Sequence, residues 1–211
     1  ARDIMLAKDT RASLHLCHCS TKDSVRMIEL AKQEGIHVTA EVCPHHFALC
    51  SEDIPGDDAN YKMNPPLRTK ADVEALREGL KNDIIDVIAT DHAPHTLIEK
   101  GVGIKKAPFG IVGLETAAAI TMTELVDKGI LTIMQMAEKM SYNPAKILGL
   151  DKGVVEEGKA ADLVVFHPGK EYVIDPNEFK SKGRNTPFAG KKVKGMVMAT
   201  IVDGRVIYER T

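Results

Sequence analysis

The alternation of strand-like and helix-like segments over the first 90 residues constrains the fold of this chain most strongly. Apolar, β-rich runs at 13–19, 36–43 and 83–90 are separated by amphipathic runs at 20–35 and 69–81. Ser/Thr caps and a glycine stop mark the ends of the amphipathic runs. Strands that alternate with helices are typical of βα units around a parallel sheet. The sequence therefore predicts an α/β fold.

The pattern changes after Gly149, where short strand-like segments replace the helices. Asp203-Gly204, between two apolar runs, is the signal of a tight β-hairpin. We therefore predict two domains, an α/β domain over residues 1–150 and a small β-layer, part of a β-sandwich, over residues 151–211.

Composition and charge argue against several kinds of partner. The formal net charge of −2 gives no electrostatic reason to expect nucleic acid or a membrane surface. No apolar run approaches the roughly 18 residues that a transmembrane helix needs. The four cysteines lie near the start of the chain, mostly in apolar runs, as reduced thiols do in cytoplasmic proteins. We expect a cytoplasmic protein without nucleic-acid or membrane partners.

Two polar residues follow strands of the predicted sheet. In parallel α/β sheets, functional side chains collect at the carboxyl ends of the strands, where His18 and Asp91 lie. An imidazole and a carboxylate on one rim can share a divalent metal and its bound water, and His95 is close enough to serve the same cleft. Two plainer interpretations stay open. Asp91 could be a helix N-cap, and His18 a core histidine held by one hydrogen bond.

Two loops are suited to binding a small polar ligand. Pro65 and Pro66 stiffen the backbone that presents Asn64, whose amide can both donate and accept hydrogen bonds. In Pro108-Phe109-Gly110, the glycine lets a ligand approach the main chain closely. These groups fit a planar ligand that carries carbonyl and amide groups.

Five segments, in this order, closely resemble class I dihydroorotases of the amidohydrolase superfamily: "CHCSTKDSV", "VTAEVCPHH", "YKMNPPLR", "IATDHAPHT" and "APFGIVGLET". Hydantoinases and allantoinases resemble the chain less in "MNPPLR" and "APFGIVGLET". The resemblance implies the last three strands of a TIM (β/α)8 barrel of the metallo-dependent hydrolase type. It also implies a zinc-dependent hydrolase of pyrimidine biosynthesis, which interconverts N-carbamoyl-L-aspartate and (S)-dihydroorotate.

The resemblance also implies roles for single residues. His18 matches a metal-binding histidine, and Asp91 matches an aspartate that contacts zinc and acts as general base and then acid. Asn64 and His95 match substrate-binding positions, and Phe109 and Gly110 match the segment whose main chain holds the dihydropyrimidine ring.

One element of the family pattern is absent from this sequence. The family carries a His-x-His-x-Arg motif on its first barrel strand, and none of the eight histidines here forms a His-x-His pair. We therefore expect the other zinc ligands upstream and the chain to be an incomplete portion, inactive alone. It should form a homodimer or pair with a missing N-terminal half. The alternatives are a non-catalytic module that supports assembly of aspartate transcarbamoylase, and a hydantoinase- or allantoinase-type cyclic amidase.

Overall fold

The computed structural model describes residues 1–210, which form two compact units. The first unit comprises Ala1–Ala117 and Asp175–Ala189, and the second comprises Ala118–Ile174 and the chain from Gly190 onward. These compact units divide the chain at other positions than residue 150. The domain boundary after residue 150 stays a prediction. No helix within residues 1–210 is long and apolar enough to cross a membrane.

A three-stranded parallel sheet forms the centre of the first unit, in the order β1–β2–β3. Leu14 lies opposite Val38, and Val42 lies opposite Ile88. The elements in chain order are α1 (Arg2–Thr10), β1 (Leu14–Leu16), α2 (Lys22–Gln33), β2 (Val38–Val42), α3 (Pro44–Ala48), α4 (Lys70–Lys81), β3 (Val87–Ile88) and α5 (Leu97–Lys100). Short 3-10 turns occur at Ser51–Asp53, Ala59–Tyr61 and Pro176–Glu178. The predicted alternation of helices and parallel strands is confirmed.

Helices α2 and α4 pack against each other, and the apolar stripes of both are buried. Ile28 of α2 and Leu76 of α4 are fully buried, as are Ala40 and Val42 of the central strand. A Cβ on Gly79 would lie 3.0 Å from a methyl carbon of Val25, so the glycine lets the two helices approach closely. The predicted starts are confirmed, since Thr21 caps α2 and Thr69 caps α4.

Two of the strands are shorter than the sequence predicts. The run at 13–19 forms a strand only over Leu14–Leu16, and the run at 83–90 only over Val87–Ile88. The backbone takes positive φ angles at His18 and Asp91, which turn the chain away from the strand direction. Strands β1 and β3 therefore end before His18 and Asp91.

The second unit contains a three-stranded antiparallel sheet. The chain enters this unit in α6 (Ala117–Thr121) and continues through π-helical turns at Met122–Val126 and Glu138–Tyr142, helices α7 (Ile133–Ala137) and α8 (Asn143–Ile147), and strands β4 (Leu163–Val173), β5 (Lys192–Val202) and β6 (Arg205–Glu209). The predicted hairpin is confirmed, since Asp203 and Gly204 join β5 to β6 with φ angles of 48° and 74°. The sequence predicts short strands here, but β4 is a single strand of 11 residues, with irregular pairing between His167 and Glu171.

Candidate active site and metal centre

His18 and Asp91 lie just beyond the carboxyl ends of β1 and β3. Their φ angles are 40° and 47°, in the left-handed region that residues other than glycine seldom adopt. Such backbone conformations persist only where the surroundings enforce them, and they are common at functional sites. Because the strands are parallel, the two residues lie at the same edge of the sheet.

The side chains of His18 and Asp91 take no part in the hydrogen bonds of the described residues. Within residues 1–210, the His18 imidazole and the Asp91 carboxylate have no hydrogen-bond partner, while the His18 main-chain N–H donates to Glu41 at 3.3 Å. Thr96 caps the helix that follows Asp91, so the interpretation of Asp91 as a helix N-cap is wrong. The interpretation of His18 as a core histidine held by one hydrogen bond is wrong too.

A hydrogen-bonded group that the sequence analysis missed lies next to His18. The His15 imidazole bonds Thr39 Oγ1 at 2.8 Å through Nδ1 and Glu41 Oε2 at 3.1 Å through Nε2. Glu41 thereby joins the side chain of His15 to the main chain of His18. The spacing of Thr39 and Glu41 could have indicated this group, because residues two apart in a strand face the same side of the sheet. Cys17 approaches the same group.

Two buried histidines lie in α3, directly after the end of the central strand. His45 and His46 are 1% and 2% exposed. Burial, together with the neighbouring His46 and His18, keeps the pKa of His45 well below its usual value. Burial lowers the pKa of His46 to about 4, although its Nε2 donates to the Pro65 carbonyl at 2.8 Å. Both rings are therefore neutral near pH 7.

The donor atoms of His18 and Asp91 suit a divalent metal but do not complete a site. Within residues 1–210, two groups of three metal-ligating side chains converge, namely Cys43 with His45 and His46, and His15 with Cys17 and Glu41. Neither group contains His18 or Asp91. An imidazole and a carboxylate are ordinary zinc ligands, but a tetrahedral site needs more than two protein or water donors.

A cavity of about 410 Å³ adjoins His18. Ser20, Pro65 and Arg68 are among the residues that line it. The Arg68 guanidinium donates from Nε to Ser20 Oγ at 3.3 Å. Arg68 ends the "NPPLR" segment, and no role for it is predicted from the sequence. In the structure it brings a positive charge to the cavity beside His18.

A second cluster joins the other candidate ligand-binding residues. The segment Pro108–Gly110, called the strap below, is in direct contact with His95, whose Nε2 lies 2.9 Å from the Phe109 carbonyl oxygen. The Gly110 N–H donates to the Lys62 carbonyl at 3.0 Å. Lys62 also places its ammonium 4.7 Å from the centre of the Phe109 ring, which is 56% exposed.

Asn64 is exposed and lies two residues beyond Lys62, the contact of the strap. Within residues 1–210, its side-chain amide has no hydrogen-bond partner, and the next residue, Pro65, lines the cavity beside His18. The loop of Asn64 therefore reaches both the strap and that cavity.

Two buried residues that the sequence analysis missed anchor the strap. Lys100 is 7% exposed and Asn185 is 2% exposed. The side chains of both donate hydrogen bonds to the Gly110 carbonyl, at 2.9 Å from Lys100 and 3.0 Å from Asn185. Nothing in the local sequence pairs Asn185 with a loop that lies 75 residues earlier.

Comparisons with known proteins confirm the resemblance to dihydroorotases. The chain is 54% identical over 210 residues to a dihydroorotase of Geobacillus sp. and 55% identical over 210 residues to one of Anoxybacillus flavithermus. Each match covers 100% of this chain and 49% of the relative. The chain thus spans about half the length of the curated relatives that it matches.

Solved structures of hydantoinases have the same fold as this chain. The L-hydantoinase (dihydropyrimidinase) of Arthrobacter aurescens superposes with a TM-score of 0.91 at 32% identity, over 99% of this chain and 47% of that one. The D-hydantoinase (dihydropyrimidinase) of Thermus sp. gives a TM-score of 0.92 at 27% identity, over 99% and 47%.

A family pattern also matches almost the whole chain. The pattern of the amidohydrolase family matches residues 1–207, and proteins of this family are generally metal-dependent. The predicted α/β architecture with a parallel sheet and a C-terminal antiparallel sheet is the amidohydrolase type. The chain belongs to the amidohydrolase family.

Proposed function

We propose that this chain is part of a zinc-dependent dihydroorotase, a cytoplasmic enzyme that interconverts (S)-dihydroorotate and N-carbamoyl-L-aspartate. The observation that carries the proposal is the pair His18 and Asp91. Both follow parallel strands at one sheet edge, with side chains that no hydrogen bond within residues 1–210 engages. The identity of about 54% to proteins named dihydroorotase favours this substrate over the hydantoins of the structural relatives.

The three parallel strands fit, in this proposal, the last three strands of a TIM barrel. Their order and direction match consecutive barrel strands, whose catalytic residues lie at the carboxyl ends. His18 would bind one or two zinc ions together with Asp91 and with ligands from outside this chain. When bound, zinc supplies Lewis acidity toward a carbonyl group and lowers the pKa of a water molecule.

Asp91 is the residue to which we assign proton transfer. In the hydrolytic direction, water adds to the ring amide carbonyl carbon and the bond from that carbon to the ring nitrogen breaks. One carboxylate oxygen of Asp91 accepts the proton of the attacking water and passes it to the leaving nitrogen. Asn64, His95 and the strap would hold the substrate, whose carboxylate requires donors such as the amide of Asn64.

The test is a chimera in which this chain replaces the aligned 210 residues of the Geobacillus enzyme. We expect the chimera to bind zinc and to hydrolyse dihydroorotate. Asp91→Asn should lower kcat by roughly 10²–10⁴-fold, the usual contribution of a general acid–base group. His18→Asn should reduce the zinc content, whereas Lys81→Met, an exposed change at the end of α4, is the control.

Two results would overturn the assignment. A folded, zinc-loaded chimera that leaves dihydroorotate intact excludes the dihydroorotase, and turnover of hydantoin instead establishes the hydantoinase alternative. The isolated chain should bind zinc weakly and show negligible turnover, because His18 and Asp91 alone are too few ligands. A homodimer, pairing with an N-terminal half and association with aspartate transcarbamoylase stay predictions.

A further inference from the structure

The strap is held by a buried lysine that has carbonyl oxygens as its acceptors. Lys100 Nζ donates to the carbonyls of Gly110 at 2.9 Å, Pro108 at 3.1 Å and Lys62 at 3.3 Å. Lysine is seldom this buried unless it is paired. Here the three carbonyl groups replace the water around the ammonium, which offsets the cost of burying the charge. The Lys100 ammonium thereby joins the strap to the loop that contains Lys62.

Asn185 fixes the same segment from another side. Its Nδ2 donates to the carbonyls of Gly110 and Ala93, both at 3.0 Å, and its Oδ1 accepts the His95 main-chain N–H at 3.0 Å. The main-chain carbonyl of Asn185 accepts the N–H of Val112. One buried residue therefore joins the strap to the loop that carries Asp91 and His95.

Together these contacts determine which main-chain groups the strap can offer to a ligand. The carbonyls of Pro108 and Gly110 are bound by Lys100 and Asn185, and that of Phe109 is bound by His95. The Gly110 N–H is bound by Lys62. Within residues 1–210, the Phe109 N–H has no acceptor, so the strap presents a donor and an exposed aromatic ring. The complementary ligand is a flat ring with an acceptor oxygen.

We propose that Lys100 and Asn185 are positioning residues, which hold the strap in its ligand-binding conformation by turning its carbonyl groups into the protein. This inference rests on the proposed function, in which Phe109 and Gly110 contact the substrate. Neither Lys100 nor Asn185 would touch the reacting atoms. Their loss should therefore weaken substrate binding more than it slows the chemical step.

The first experiment measures amide hydrogen exchange in the strap of the isolated 211-residue chain, and it does not require an active enzyme. Lys100→Met keeps the length of the side chain and removes three hydrogen bonds. Asn185→Asp keeps its size and the acceptor for His95 but removes two donors. We expect amide hydrogen exchange at Gly110 to accelerate at least about tenfold in each variant, while Ala40 and Leu80 in the core change little. Unchanged protection at Gly110 in a folded variant overturns the proposal.

The second experiment uses the chimera and separates positioning from general destabilisation. We expect Lys100→Met and Asn185→Asp to raise KM about tenfold and to leave kcat within about threefold, which is the signature of lost ground-state binding. Lys81→Met, which contacts no part of the strap, should leave both constants unchanged. Faster exchange at Gly110 with an unchanged KM overturns the role in ligand binding.

The two experiments also distinguish a failure of this inference from a failure of the proposed function. A chimera that does not turn over dihydroorotate counts against the dihydroorotase, and the exchange measurement then decides on the anchoring of the strap alone. If Lys100→Met does not fold, Asn185→Asp carries both measurements, since it preserves the volume of the buried residue.

Discussion

At the scale of single residues, Gly110 shows how closely the loops of the site approach one another. Its φ angle is 128°, and an added Cβ would lie 2.5 Å from the Cβ of Ala93 and 3.2 Å from His95 Nε2. The first distance is shorter than any van der Waals contact. A side chain at this position would therefore displace the loop that carries His95.

We predict that Gly110→Ala lowers the free energy of unfolding by about 2 kcal/mol or more, as urea denaturation would measure. The loss combines a strained backbone angle with overpacking. Gly56→Ala is the matched control, because Gly56 has a φ angle of 106° but, among the described residues, no neighbour within 4 Å of the added Cβ. Its loss should be smaller by at least about 1 kcal/mol. Equal losses in the two variants would show that the contact with Ala93 is relieved without cost.

At the scale of secondary-structure elements, the start of α4 also fixes the position of α2. Thr69 Oγ1 accepts the N–H of Asp72, and the Asp72 carboxylate accepts the N–H of Thr69 at 3.1 Å, which is a capping box. The other carboxylate oxygen of Asp72 accepts the N–H of Lys22, the first residue of α2, at 2.9 Å. One carboxylate thus accepts hydrogen bonds from main-chain N–H groups at the starts of two neighbouring helices.

We predict that Thr69→Ala costs about 1 kcal/mol of stability, the usual value of an N-cap, and that Thr69→Ser costs little. Asp72→Ala should cost more than Thr69→Ala, because it removes the hydrogen bond to the Lys22 N–H as well as the reciprocal bond of the capping box. Thermal and urea unfolding of the three variants would measure these losses of stability and rank them. A smaller loss in Asp72→Ala than in Thr69→Ala would mean that the bond to α2 contributes nothing.

Elements with local signals could be predicted, and elements that depend on partners could not. Thr69 acts through a side-chain cap on its own helix, and Gly35 and the Asp203-Gly204 turn act through positive φ angles. These signals are local, so the sequence marks α4, α2 and the hairpin correctly. The length of a strand depends on its neighbours, and β3 pairs only with β2 within residues 1–210. The predicted strand residues 83–86 and 89–90 therefore lie outside β3.

At the scale of the whole molecule, the candidate site depends on contacts between distant segments. His18 and Asp91 could be found from their places after strands. The roles of Asn185 and Lys100 could not be predicted, because no periodicity relates Asn185 to Ala93 or Gly110. A polar residue in a loop is ordinarily solvated, and only the return of residues 175–189 to the first unit buries this one.

The buried histidines after β2 make the stability of the whole chain depend on pH. His46 has a folded-state pKa of about 4, against about 6.5 when the chain is unfolded, because burial disfavours the charged ring. Between these values the unfolded state binds more protons than the folded state does. The contribution of His46 is therefore complete above about pH 6.5 and is lost as the pH falls toward 4, at up to about 1.4 kcal/mol per pH unit.

We predict that His46→Gln flattens this dependence. The glutamine amide can still donate to the Pro65 carbonyl, but it does not titrate, so the slope of unfolding free energy against pH should fall by about 1 kcal/mol per unit between pH 6 and 4.5. Carboxylates also titrate in this range, and the difference between wild type and variant removes their effect. His37→Gln, at an exposed position, is the control for the loss of a histidine. Parallel curves for wild type and His46→Gln would mean that the ring of His46 is protonated as readily in the folded chain as in the unfolded one.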